Sequence, residues 1–111
     1  VSIVYIGKQI KGNTVNKTEH NRVVKAIKVW AETNDIDLTD TNFYTPKEWK
    51  DRGGEEYCLN AELMATTEGE LNHILNMYNG YELHTSFFNL MDTLGYWFEM
   101  GTSWYFGIYK N

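Results

Sequence analysis

The stretch from Tyr96 to Tyr109 constrains the fold more than any other part of the chain. Seven of the seventeen aromatic residues lie in these fourteen positions. They alternate with period two on either side of Gly101-Thr102-Ser103, which predicts a β-hairpin with a short connection. If Met100 stands across from Trp104, then Tyr96, Phe98, Met100, Trp104, Phe106 and Ile108 share one face. Trp97, Glu99, Tyr105, Gly107 and Tyr109 share the other. A strand wetted on one side alternates apolar with polar, whereas this one is aromatic on both. The second face therefore needs a cover: helices of the chain itself, a twin subunit or a ligand. In the same register Trp97 lies across from Gly107 and shields otherwise bare backbone, a structural role for that ring. Tyr105, Tyr109 and Glu99 are left to be explained.

The rest of the chain alternates between helical and strand patterns. Residues Val1 to Gly7 read as a strand, with Ile3 and Tyr5 on one face and Val4 and Ile6 on the other. Such two-sided apolarity suits a central position next to the hairpin. His20, Val23, Val24, Ile27, Trp30 and Ala31 form a stripe at helical spacing over residues 17–33, with Asn16 and Glu19 placed to make a capping box. Thr33 to Thr45 is polar and reads as a loop. Its aspartates superficially follow calcium-loop spacing, but Asp40 stands where the sharp-turn glycine belongs and Pro46 where the bidentate glutamate belongs. Thr45-Pro46-Lys47-Glu48 is a clean helix start, so a short helix is expected over 46–51, pinned by Trp49. Tyr57, Leu59, Ala61 and Leu63 alternate with polar residues, predicting a one-faced strand near 57–63. Thr67 and Glu70 suggest a further capping box for a helix over 67–79 that stops at Gly80, and Leu83, Phe87, Leu90, Met91 and Leu94 a last helix over 83–94 that stops at Gly95. The expected architecture is a single α+β domain over residues 1–111. It has two layers, about four strands and three main helices besides the short one.

Composition excludes several classes. With 42% apolar and 15% aromatic residues the chain is not a disordered one. Its apolar runs span only a few residues, too short for a membrane helix. Cys58 is the single cysteine, so no internal disulfide can form, which together with the lack of an apolar leader sets the expectation of a cytoplasmic protein. The net charge of −5 is unevenly spread. Residues 1–31 carry six basic side chains against Glu19, and residues 32–111 carry four basic against fourteen acidic. Lys17, Arg22, Lys25 and Lys28 could meet a polyanion or an acidic protein. The acidic remainder of the chain repels nucleic acid, so a protein is the expected partner.

The inventory for catalysis is thin. His20, His73 and His84 fall on three different predicted helices and have no metal-site spacing, and Cys58 has no sequence neighbour that would activate it. No glycine-rich phosphate loop is present. No catalytic residue, metal or cofactor is expected. The reading that follows is a non-enzymatic interaction module that binds, and inhibits or regulates, another macromolecule, in the manner of small inhibitors carried by phages or mobile elements. Trp97, Glu99, Tyr105 and Tyr109 are the expected contact residues, and a homodimer through the hairpin is one form the interaction could take. The alternative is a small-ligand or nucleotide-binding domain with modest activity, in which an aromatic pocket on the sheet holds a ring against Tyr105 and Glu99 with a histidine nearby.

Overall fold

The computed structural model describes residues 17–53, 61–78 and 80–111. The strand expected over Val1 to Gly7, the Asn16 cap and most of the strand expected near 57–63 lie outside these residues. Within them the order is α1 (Lys17–Thr33), β1 (Thr41–Tyr44), α2 (Pro46–Asp51), β2 (Leu63–Thr67), α3 (Glu70–Leu75), α4 (Glu82–Leu94), β3 (Tyr96–Thr102) and β4 (Tyr105–Lys110). The four strands form one antiparallel sheet in the order β1-β2-β4-β3. The fold is α+β in two layers, as the periodicities predict.

The helical layer packs on one face of the sheet. His20, Val23, Ile27, Trp30 and Ala31 of α1 are buried, the stripe expected from spacing. Val23, Ile27, Trp30 and Ala31 join Leu71, Ile74 and Leu75 of α3 and Phe87 and Met91 of α4 over Leu63, Ala65, Phe106 and Ile108 of the sheet. Trp30 packs its ring edge-on to Phe87 at 5.2 Å and donates its indole N–H to Ser86 Oγ at 2.9 Å, which ties α1 to α4. The last helix expected from spacing follows Tyr81, and it ends at Gly95 in the left-handed conformation, φ +91°.

Several local expectations are corrected. The supposed loop between α1 and α2 contains β1, whose four residues are too few and too polar for an alternating signal. Before it, α1 closes without glycine: Asp35 takes φ +57° and the Ile36 N–H reaches back to the Ala31 carbonyl at 2.7 Å, a Schellman-type stop with Ile36 packed on the core. Thr67 is not a helix cap. It ends β2, fully buried, and its hydroxyl pairs with that of Thr41 at 3.0 Å across the strands. The helix after it is accordingly shorter than 67–79: it begins at Glu70, stops at Leu75, and leaves Gly80 in a later turn. Of the strand expected near 57–63 only residues 61–63 are described: Leu63 opens β2, and Ala61 and Leu63 face opposite clusters because a bend at Glu62 breaks the alternation between them.

The hairpin forms, with its register displaced by two residues. Trp97 pairs with Tyr109, Glu99 with Gly107 and Met100 with Phe106. The reversal therefore falls at Ser103-Trp104, and an irregularity between Met100 and Thr102 leaves Gly101 as the extra residue. A shift of two preserves which side chains share a face, so the parity of the prediction holds while its cross-strand partners change. Trp104 is the exception: sitting in the turn, it joins Tyr105 on the second face at 4.8 Å. The turn is held from outside by Asn72 and Asn76 of α3 and its C-cap, whose amides donate to the Ser103 carbonyl at 2.5 and 2.8 Å. The central strands are β2 and β4, and among the described residues β3 is an edge. The hairpin's second strand thus takes a central place; the strand expected beside the hairpin, Val1 to Gly7, lies outside the described residues.

Candidate functional site

What covers the second face of the sheet decides which aromatic residues remain available. The cover is largely α2. Thr45 caps it as expected, accepting from the Glu48 N–H at 3.1 Å while its own N–H donates to the Glu48 carboxylate at 2.8 Å. This start aims Trp49 at the sheet, where its ring lies 5.7 Å from Tyr44 and 5.2 Å from Tyr105. Arg52 closes the arrangement from outside, its guanidinium 4.9 Å from the Trp49 ring centre. Trp49, Ala61, Met64 and Tyr105 form a second small core.

Tyr105, expected at the surface as a contact residue, is therefore part of this core. It is fully buried, and its ring lies so close to Gly101 that a β-carbon there would stand 2.2 Å from it. The shielding of a cross-strand glycine foreseen for Trp97 and Gly107 is carried out instead by Tyr105 against Gly101, as the shifted register and the bulge require.

Trp97, Tyr109 and Glu99 stay at the surface end of the same face. Trp97 on β3 lies flat on Tyr109 of β4, with ring centres 4.4 Å apart and planes inclined by 15°. Tyr109 is half-buried because it leans on the second core, while Trp97 is 39% exposed and presents its outer side to solvent. Glu99 stands two residues along β3, exposed, across from Gly107, which has no side chain to accompany it. The three residues form a fixed aromatic step with one carboxylate beside it, on a strand whose outer edge has no partner among the described residues.

The histidines do not converge on this step. His20 is buried at the foot of α1, His73 is exposed on α3 against Tyr78, and His84 packs edge-on to Phe98 on the opposite face of the sheet. Burial, reinforced by Lys17, holds the His20 imidazole below its ordinary pKa of 6.5. Among the described residues no group of three potential metal ligands comes together, and no helix is long and apolar enough to cross a membrane. A recess of ≈ 360 Å³ between the end of α1, α3 and the start of α4 is lined by Asp35, Glu70, His73 and Glu82 among others, and by none of the hairpin residues.

The basic residues of α1 divide. Arg22 is engaged by Glu19 at 2.6 Å, and Glu19 also accepts from the Tyr96 hydroxyl at 2.7 Å. These bonds, that to Arg22 first, pull the Glu19 carboxyl down from 4.5 to about 2; burial and the same carboxylate push the Tyr96 hydroxyl up to about 12. Lys17, Lys25 and Lys28 have no ion pair among the described residues. Sequence reasoning missed Trp49 and Arg52 as the determinants of the site's extent, because their contacts with Tyr44 and Tyr105 depend on a chain reversal that no local pattern encodes.

No family model, curated protein or solved structure matches the chain.

Proposed function

We propose that the protein is a non-enzymatic interaction module that binds another macromolecule, most simply another protein, through the outer face of its terminal hairpin, and inhibits or regulates what it binds. The observation that carries this is the Trp97–Tyr109 stack, a large rigid apolar surface held flat on β3 and β4 with Glu99 next to it, on a strand whose outer edge has no partner among the described residues. Rings whose rotamers are already fixed lose little conformational freedom on binding, which is why such residues dominate interface energetics. An intracellular inhibitor acting in the cytoplasm, or a homodimer joined at the hairpin, are the two forms of this reading.

Quantitative affinity capture from the source cells tests it, with the wild type compared against Trp97→Ala and Glu99→Lys and self-association followed by sedimentation. A partner, or a dimer, that is retained by the wild type and lost about tenfold or more on Trp97→Ala supports the assignment. Capture and association unchanged by both substitutions would reject it. The ligand-binding alternative keeps Glu99 and the Trp97 stack but loses Tyr105 as its platform, and its histidine lies elsewhere.

A further inference from the structure

Among the described residues, β3 ends the sheet on one side. The Asn111 N–H donates to the Gly95 carbonyl at 3.0 Å. Alternation from that pair turns the main-chain groups of Trp97 and Glu99 towards β4 and those of Phe98 and Met100 outward. Seven residues long and without Lys or Pro, this is an edge of the kind that sheets ordinarily close.

The slot beside it is apolar above and below. On the second face the Trp97 and Tyr109 rings stand 4.4 Å apart and nearly parallel, close to the spacing of the strands that carry them. The free side of Trp97 therefore looks over the place the next strand would take. On the helical face, α4 lies above β3. Trp30 of α1 meets α4 through Ser86 and Phe87, while His84, on the opposite side of the helix from Ser86, meets Phe98 of β3. Phe88 is one turn on from His84 and so shares that outer side, where it is 50% exposed.

We infer that the outer edge of β3 docks the chain's own residues 1–7 as a fifth strand, which sets one of its apolar pairs, Ile3 with Tyr5 or Val4 with Ile6, beside Trp97 and the other under Phe88. A slot lined by an aromatic ring on each side needs a strand that is apolar on both faces, and these residues supply one of matching length. The attachment is within reach. In the first turns of α1, Glu19 accepts from the Tyr96 hydroxyl at 2.7 Å and Arg22 donates to the Leu94 carbonyl at 3.2 Å, so the chain enters α1 beside the start of β3. Residues 8–16 can span about 30 Å, more than the roughly 23 Å length of β3. The opposite edge, β1, offers only four residues. A fifth strand here extends the aromatic step by one side chain without hiding it, and it closes the edge to strand addition by a partner. The inference does not rest on the reading given to the hairpin face.

The test is solution NMR on the full chain with no partner present, so its failure is distinct from any failure of the hairpin to bind one. Cross-strand NOEs are expected from residues 1–7 to Phe98 and Met100. Exchange of the Phe98 and Met100 amides should be slowed about tenfold or more relative to the double variant Ile3→Pro, Val4→Pro, which breaks pairing in either register. The Trp97 and Glu99 amides, turned towards β4, should stay equally protected in both proteins. Where the variant folds poorly, the NOEs of the wild type decide alone. Phe98 and Met100 amides exchanging as fast in the wild type as in the variant would overturn the inference. So would NOEs from residues 1–7 to β1 or to no strand at all. Protection that rises with protein concentration, together with a dimer in sedimentation, would also overturn it by making the occupant a second copy.

Discussion

Gly101 shows how one missing side chain sets the geometry of the hairpin. The Tyr105 ring occupies the volume a β-carbon would need, at 2.2 Å, and that ring is fully buried, so it cannot swing into solvent. Gly101→Ala is expected to destabilise the fold by about 1–3 kcal/mol, the usual cost of overpacking, measured as a lower urea midpoint. At the other end of the sheet, Glu19 joins Arg22 of α1 to Tyr96 of β3. Its pKa is lowered on folding, so its contribution is present above the unfolded value of 4.5 and is lost as the pH falls towards about 2. Glu19→Gln should flatten the stability profile across that window and leave the rest of the profile, where His20 contributes, as in the wild type. His20 is likewise depressed and buried, so its protonation below 6.5 favours unfolding. Thermal unfolding followed at a series of pH values separates the two. The sequence offers Glu19 as a capping residue for Asn16, which lies outside the described residues; its bond to Tyr96 was not legible, because 77 positions separate the partners.

Among the elements, α2 has the most influence for its length. Six residues place one indole over the second face of the sheet and so remove Tyr105 from the surface. Trp49→Ala should cost about 3–5 kcal/mol, the range for deleting a buried aromatic ring. It should also expose Tyr105, read as increased quenching of tyrosine fluorescence by iodide. Thr45→Ala, which removes the cap without touching the ring, should cost about 1 kcal/mol. A larger loss there than in Trp49→Ala would mean that α2 itself and not its tryptophan holds the face. The capping box of α2, the stripe of α1 and the glycine stop of α4 were all readable, since each is a pattern within one turn or two. β1 was not readable: Thr41, Asn42, Phe43 and Tyr44 show no alternation, and they form a strand because β2 offers them hydrogen-bonding partners.

For the whole molecule the outcome is a helical layer on one side, a small tryptophan-centred cover on the other, and an aromatic step that the cover stops short of. Trp97→Ala should leave the fold intact, losing about 0.5–1.5 kcal/mol of stacking with Tyr109, while abolishing whatever the hairpin binds. A stability loss as large as that of Trp49→Ala would instead make Trp97 a core residue.

By itself, the sequence determined the kinds of element and their parity. Helical stripes, capping residues and the two-sided alternation of the last strands are local, and sterics and burial leave few alternatives to them. It also determined that both faces of the hairpin carry aromatic residues. Tertiary structure decided where the hairpin turns, since a shift of two residues changes every cross-strand partner without changing any face. It decided, too, which aromatic residue is core and which is surface. Trp49 reaches Tyr105 across more than half the chain and stops before Trp97, and that reach depends on how the strands pair and where α2 settles, a property of the packed chain that no stretch of residues carries.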